Sequence, residues 1–227
     1  MPPRPTVILP RALIFVASIW LIGSWMITIG FVPPVHPSSA SYEPGVQQML
    51  VSLAIGLMIG WPLLRLSQAA HGAARRQTLL DLLVLISMIQ VVLWPLRLVT
   101  RWSLERTAAI DATLVGWMLV AAAIVAAATA TPNRGVRALA MLSCLGLCLV
   151  GPALGALGVG GELNSPALLE LSPLIAIRSL GDGGGAPLTA MQWRWLGVLG
   201  AAGLLAWIAL LLAPTPSPAA PRERPIT

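Results

Sequence analysis

The chain has no lysine, only eight acidic residues among its 227, two histidines and two cysteines. Without lysine it holds no Gly-x-x-x-x-Gly-Lys-Ser/Thr loop, so ATP hydrolysis by that mechanism is not expected. The glycine cluster between Gly181 and Gly185 is a turn, with nothing behind it to cradle a phosphate. Cys144 and Cys148 lie one helical turn apart in an apolar stretch. Lacking nearby His, Asp or further Cys they cannot complete a metal sphere, and a disulfide between successive turns of an intact helix has poor geometry. His36 and His71 fall in separate loops, and Glu162, Glu170 and Asp182 read as solvated loop acids. No catalytic residue, metal or cofactor is therefore expected.

Charge is scarce as well. Only 10% of residues are charged, against about a quarter in ordinary soluble domains. The remainder is 57% hydrophobic, with a mean hydropathy of +0.84. A soluble domain of this size cannot hide so much apolar surface. The formal net charge of +6 comes entirely from arginines, most of them just beyond the ends of apolar runs. That placement fits anchoring to lipid headgroups and argues against a groove for nucleic acid.

The expected fold is therefore all-α, a polytopic integral membrane bundle of about six transmembrane helices in the cell membrane. The runs fall at 12–32, 46–64, 79–96, 109–130, 136–159 and 193–212, within a transmembrane domain spanning 12–213. Residues 1–11 form a short cytoplasmic amino terminus, and the Pro-rich stretch 214–227 a disordered cytoplasmic tail. The first run exceeds a usual signal core and others follow it, so it reads as an uncleaved crossing.

Several positions stand out within the runs. Gly56 and Gly60 have the small-xxx-small spacing that permits close helix approach, and Gly151 and Gly155 repeat it beside Pro152, where a bend is expected. Trp61-Pro62-Leu63-Leu64-Arg65 and Trp94-Pro95-Leu96-Arg97 each put a ring, a proline and a snorkelling arginine at a hydrocarbon edge. Gln90 and Asp111 are polar exceptions near membrane depth and candidates for a polar path between helices. The piece 167–180 carries Pro173 and runs into the glycine cluster, so it reads as an interfacial or re-entrant element rather than a crossing.

With both termini inside, the Arg65/Arg75/Arg76 loop and the Arg134/Arg137 turn also lie inside, as the positive-inside preference requires. One connection resists: Arg97, Arg101 and Arg106 fall outside, with Glu105 offsetting a single charge.

The order of six helices, the run Ala73-Ala74-Arg75-Arg76-Gln77-Thr78-Leu79-Leu80-Asp81-Leu82-Leu83 before the third, and Leu171-Ser172-Pro173-Leu174 before the last resemble the permease subunits of type-2 ABC exporters. Asp81 stands at the acidic position of that family's Gly/Thr-Leu-Glu-Leu-Leu-like run, while Gln77 departs from its pattern. The resemblance implies a membrane path powered by a separate cytoplasmic ATPase, which contacts the chain through Arg65, Arg75, Arg76 and Asp81. The competing expectation is a non-catalytic scaffold or accessory subunit, joined to other membrane subunits or to its own copies through Gly/Ala-rich helix faces.

Overall fold

The computed structural model describes residues 10–31, 36, 38–68, 74–156 and 172–213. Most of the amino-terminal stretch, His71, Glu162, Glu170 and the tail lie outside the described residues. All regular structure among them is helical, and six helices are long and apolar enough to cross a bilayer. These are α1 (Arg11–Gly30), α2 (Ser39–Ser67), α3 (Ala74–Leu96), α4 (Leu104–Thr129), α5 (Arg134–Ala156) and, after a short helix α6 (Pro173–Asp182), α7 (Ala190–Leu212). The chain is an all-helical, multi-pass membrane protein.

Helix ends depart from the apolar runs because caps set them. Ser38 and Ser41 close a reciprocal capping box that starts α2 seven residues ahead of the run at 46, and Pro44 is carried inside the helix. Ser103 accepts from the Arg106 N–H at 3.1 Å and opens α4 at Leu104. Thr189 and Gln192 form a second capping box for α7. In each case polar residues that hydropathy assigns to loops satisfy the first orphan N–H groups and extend the helix towards the interface.

The bundle is built around α4, in which 67% of the apolar window is buried inside the protein, against 6% for α1 and 11% for α7. It packs against α2, α3, α5, α6 and α7. Its ladder of Ala109, Ile110, Leu114, Met118, Ala121, Ala122, Val125 and Ala126 is almost wholly enclosed. Small residues let α7 approach: a Cβ on Gly116 would stand 2.8 Å from Leu199, and one on Gly203 would stand 3.0 Å from Leu119. The Trp207 indole N–H closes the same seam by donating to the Leu119 carbonyl at 3.1 Å.

Helix α1 rests on α2 through polar and small contacts. Ser24 and Ser52 share a 2.8 Å hydrogen bond, and Trp20 donates its indole N–H to the Ser52 carbonyl. Gly56 is required there, since a Cβ would come within 2.6 Å of the Trp20 nitrogen. Directly after it α2 widens into a five-residue turn, Gly56–Gly60, in which the Trp61 N–H reaches back to the Gly56 carbonyl. The wide turn accommodates Pro62, which has no N–H to continue the ordinary ladder.

The half-length helix α6 lies inside the bundle against α2, α4 and α5, with Ile177 fully enclosed. Its amino end is seated by a proline elsewhere in the chain. Pro152 in α5 cannot donate to the carbonyl four residues back, that of Cys148, and the Ser172 hydroxyl donates to it at 2.8 Å. A bilayer interior supplies no water to replace the missing bond, so a side chain must. Ser172→Ala is expected to cost about 1–3 kcal/mol, the penalty of an orphaned buried acceptor. Ser143→Ala, at an exposed hydroxyl on the same helix, should stay within about 0.5 kcal/mol, with thermal denaturation in mild detergent as the readout.

Candidate functional site

Three polar assemblies interrupt the apolar interior. The first joins the end of α2 to the start of α3. Arg65 and Asp81 face each other with Nε to Oδ2 at 3.4 Å, their side chains only 9% and 3% exposed. Arg65 also donates through Nη1 to Gln68 at 2.7 Å, and Gln77 donates to Asp81 Oδ1 at 3.2 Å. Trp61 turns towards the same carboxylate, though its indole N–H has no partner within ordinary hydrogen-bond distance. Arg65 therefore does not snorkel, and Asp81 is not held near water. Each lies one helical face away from a charge of opposite sign, and pairing inside the protein replaces hydration.

Around this pair, other arginines tie the helix ends together. Arg137 of α5 donates to the Gln68 carbonyl at 2.6 Å, and Arg75 of α3 donates through both terminal nitrogens to the Ala213 carbonyl just past α7. Arg76 is exposed beside it. The four residues expected to contact an ATPase thus divide: Arg65 and Asp81 form an internal bracket, while Arg75 and Arg76 stand nearer the surface.

The second assembly crosses from α3 to α4. Gln90 donates through Nε2 to Asp111 Oδ1 at 2.7 Å and accepts the Trp94 indole N–H on its own oxygen. Gln90 and Asp111, twenty-one residues apart in sequence, are brought into direct contact, and the sequence reading did not include Trp94 with them. Its position four residues after Gln90 on a helix was the available signal.

The third assembly was missed altogether. Arg106, 3% exposed, donates through Nη1 to the Leu180 carbonyl at 2.8 Å, through Nη2 to Ala186 at 2.7 Å and through Nε to Ala186 at 3.2 Å. Trp102 donates its indole N–H to the Gly181 carbonyl at 3.0 Å. Together they cap the carboxyl end of α6, where unsatisfied carbonyls carry partial negative charge. Gly183 sits against the guanidinium so closely that no Cβ would fit.

Of the glycines selected for packing, Gly56 lies against Trp20 and Gly151 is buried, whereas a Cβ on Gly60 or Gly155 would meet nothing within 4 Å. Close approaches that spacing did not single out fall at Gly45, Gly116, Gly183 and Gly203. Cys144 and Cys148 are both fully buried packing residues. Among the described residues no three His, Cys, Asp or Glu side chains converge on one point. No protein-family model matches the chain, and neither a curated protein nor a solved structure matches it.

Proposed function

We propose that the chain is the membrane-spanning permease subunit of an ABC-type exporter, powered by a separate cytoplasmic ATPase. The observation that carries this reading is the buried Arg65–Asp81 bracket, which locks together the two helix ends flanking the connection between the second and third crossings. A motor outside the membrane needs a stiff handle on the bundle. Here a push on that connection is carried into α2 and α3 by the bracket, into α5 by Arg137 and to the end of α7 by Arg75. The half-helix before the last crossing, opened by Ser172 and Pro173, agrees with the same family pattern.

This reading places the bracket end in the cytoplasm. Arg11, Arg75, Arg76, Arg134 and Arg137 cluster there. At the opposite end Arg106 is buried and caps α6, but its guanidinium keeps its charge, so the Arg97/Arg101/Arg106 connection still opposes the positive-inside preference. Cysteines introduced at Leu98 and Asp182, both exposed, should react with an impermeant reagent on sealed cells, while one at exposed Asn133 should stay protected. The reverse pattern would invert the proposed orientation. Buried Cys144 and Cys148 contribute little background.

The second reading is a non-catalytic membrane scaffold, favoured by α1 and α7, which bury little of themselves within the chain. Affinity purification in mild detergent separates the two. The exporter reading expects a stoichiometric ATPase, lost when exposed Arg76 is changed to Glu. A stoichiometric membrane partner with no ATPase, indifferent to nucleotide, would establish the scaffold instead.

A further inference from the structure

Asp111 lies seven residues into α4, about 10 Å along a helix of about 39 Å. Since the hydrocarbon core is about 30 Å thick, this position falls below the headgroups at the end away from the Arg65 bracket. Its carboxylate is not enclosed. Asp111 is half-buried, with exposed Ala108 and Ala112 near it on its own helix, and Gln90 links it to exposed Trp94 of α3. Gln90 donates to Oδ1, and among the described residues no arginine pairs with the carboxylate.

An ionised carboxylate open to lipid is unfavourable unless a cation answers it. A metal ion is a poor fit, because a hard cation takes six or more oxygen ligands and this seam offers one acid. Trp94 adds a second feature. Its N–H is engaged by Gln90, the same side chain that bonds Asp111, and the residue is 37% exposed. A carboxylate and a partly exposed indole together suit an ammonium group, through charge and through the ring quadrupole. Exposed Ala108 and Ala112, near the acid on its own helix, suit a hydrocarbon tail and leave it room.

We infer that the seam between α3 and α4 binds the ammonium group of a membrane-dissolved amphiphile, with Asp111 as counter-charge, Gln90 orienting it and Trp94 beside the cation. The inference stands whether the chain is an exporter subunit or a scaffold. The ammonium can belong to a small lipophilic amine or to a lipid headgroup.

The test uses the full chain in maltoside micelles, which contain no ammonium, with decyltrimethylammonium as probe and decanol as its neutral counterpart. Wild type should bind the cation saturably. Asp111→Asn should weaken that binding about tenfold or more, and Trp94→Leu about fivefold, as expected for losing a charge pair and a ring face. Decanol should bind weakly and without distinction among the three proteins. Because Asp111→Asn keeps the Gln90 acceptor, its fold should persist, and monodispersity checks this. Trp94→Leu is an independent arm should that variant fail.

Native mass spectrometry from phosphatidylethanolamine and phosphatidylglycerol nanodiscs then distinguishes the sources. Retention of phosphatidylethanolamine that depends on Asp111 assigns the headgroup. Its absence, with decyltrimethylammonium still bound, assigns the small amine. Equal cation binding by wild type and both variants, or displacement by decanol as effective as by the cation, would overturn the inference, leaving Asp111 a packing partner of Gln90.

Discussion

Changing Arg65 to leucine should cost about 3–5 kcal/mol of stability, because it leaves the Asp81 carboxylate buried without its cation. Both side chains are below a tenth exposed, so water offers little relief. The double variant Arg65→Leu, Asp81→Leu should recover most of the loss, since replacing both members of a buried pair by apolar groups is often neutral. Thermal denaturation in mild detergent, followed by loss of monodisperse protein, measures all three. A single variant no less stable than the double would show that the two charges do not act on each other. The double variant also separates stability from function. If the bracket is the handle of a motor, that protein folds yet no longer couples to its ATPase.

Arg106→Leu should be comparably damaging, with a loss of at least about 3 kcal/mol, given that hydrogen bonds to charged groups contribute about 1.5–3 kcal/mol each and do not add fully. The guanidinium, itself only 3% exposed, is the main partner of the carbonyls of Leu180 and Ala186, and its loss leaves the carboxyl end of α6 without its strongest donor. Arg106→Lys should rescue no more than about half, because a single ammonium cannot span two carbonyls as a planar fork does. Gly183→Ala should act through the same contact, its methyl displacing the guanidinium. Arg101→Ala, which removes an exposed contact to Ser39, should remain within about 0.5 kcal/mol. A stable Arg106→Leu protein with α6 still protected from proteolysis would show that Trp102 alone suffices as a cap.

Both residues were visible as arginines in the sequence, and both were assigned to interfaces there. A snorkelling arginine and a buried one have the same local neighbourhood of aromatic, proline and leucine, as Trp61 to Arg65 and Trp94 to Arg97 illustrate. What separates them is whether an acceptor arrives from a distant helix: Asp81 does for Arg65, and the carbonyls of α6 do for Arg106. The polar exceptions Gln90 and Asp111 were legible because charge and amide at membrane depth are rare, yet their hydrogen bond depends on the rotational setting of α3 against α4. The packing glycines show the opposite lesson. Regular spacing singled out Gly56, which packs against Trp20, and buried Gly151, but also Gly60 and Gly155, which meet no neighbour within the chain, while Gly116 and Gly203 matter because a neighbour happens to approach there.

The membrane class, the six crossings and the broken element before the last one follow from composition, since long uncharged runs force helices that satisfy their own backbone, and prolines and glycines interrupt them. Even the need for a donor near Cys148 is implied by Pro152, four residues on. Only the tertiary structure decided that Ser172 is that donor, that α4 is the central helix, and which charges meet. These outcomes depend on helix faces and depths in three dimensions, where residues on separate helices become neighbours and the chain's own order carries no record of the encounter.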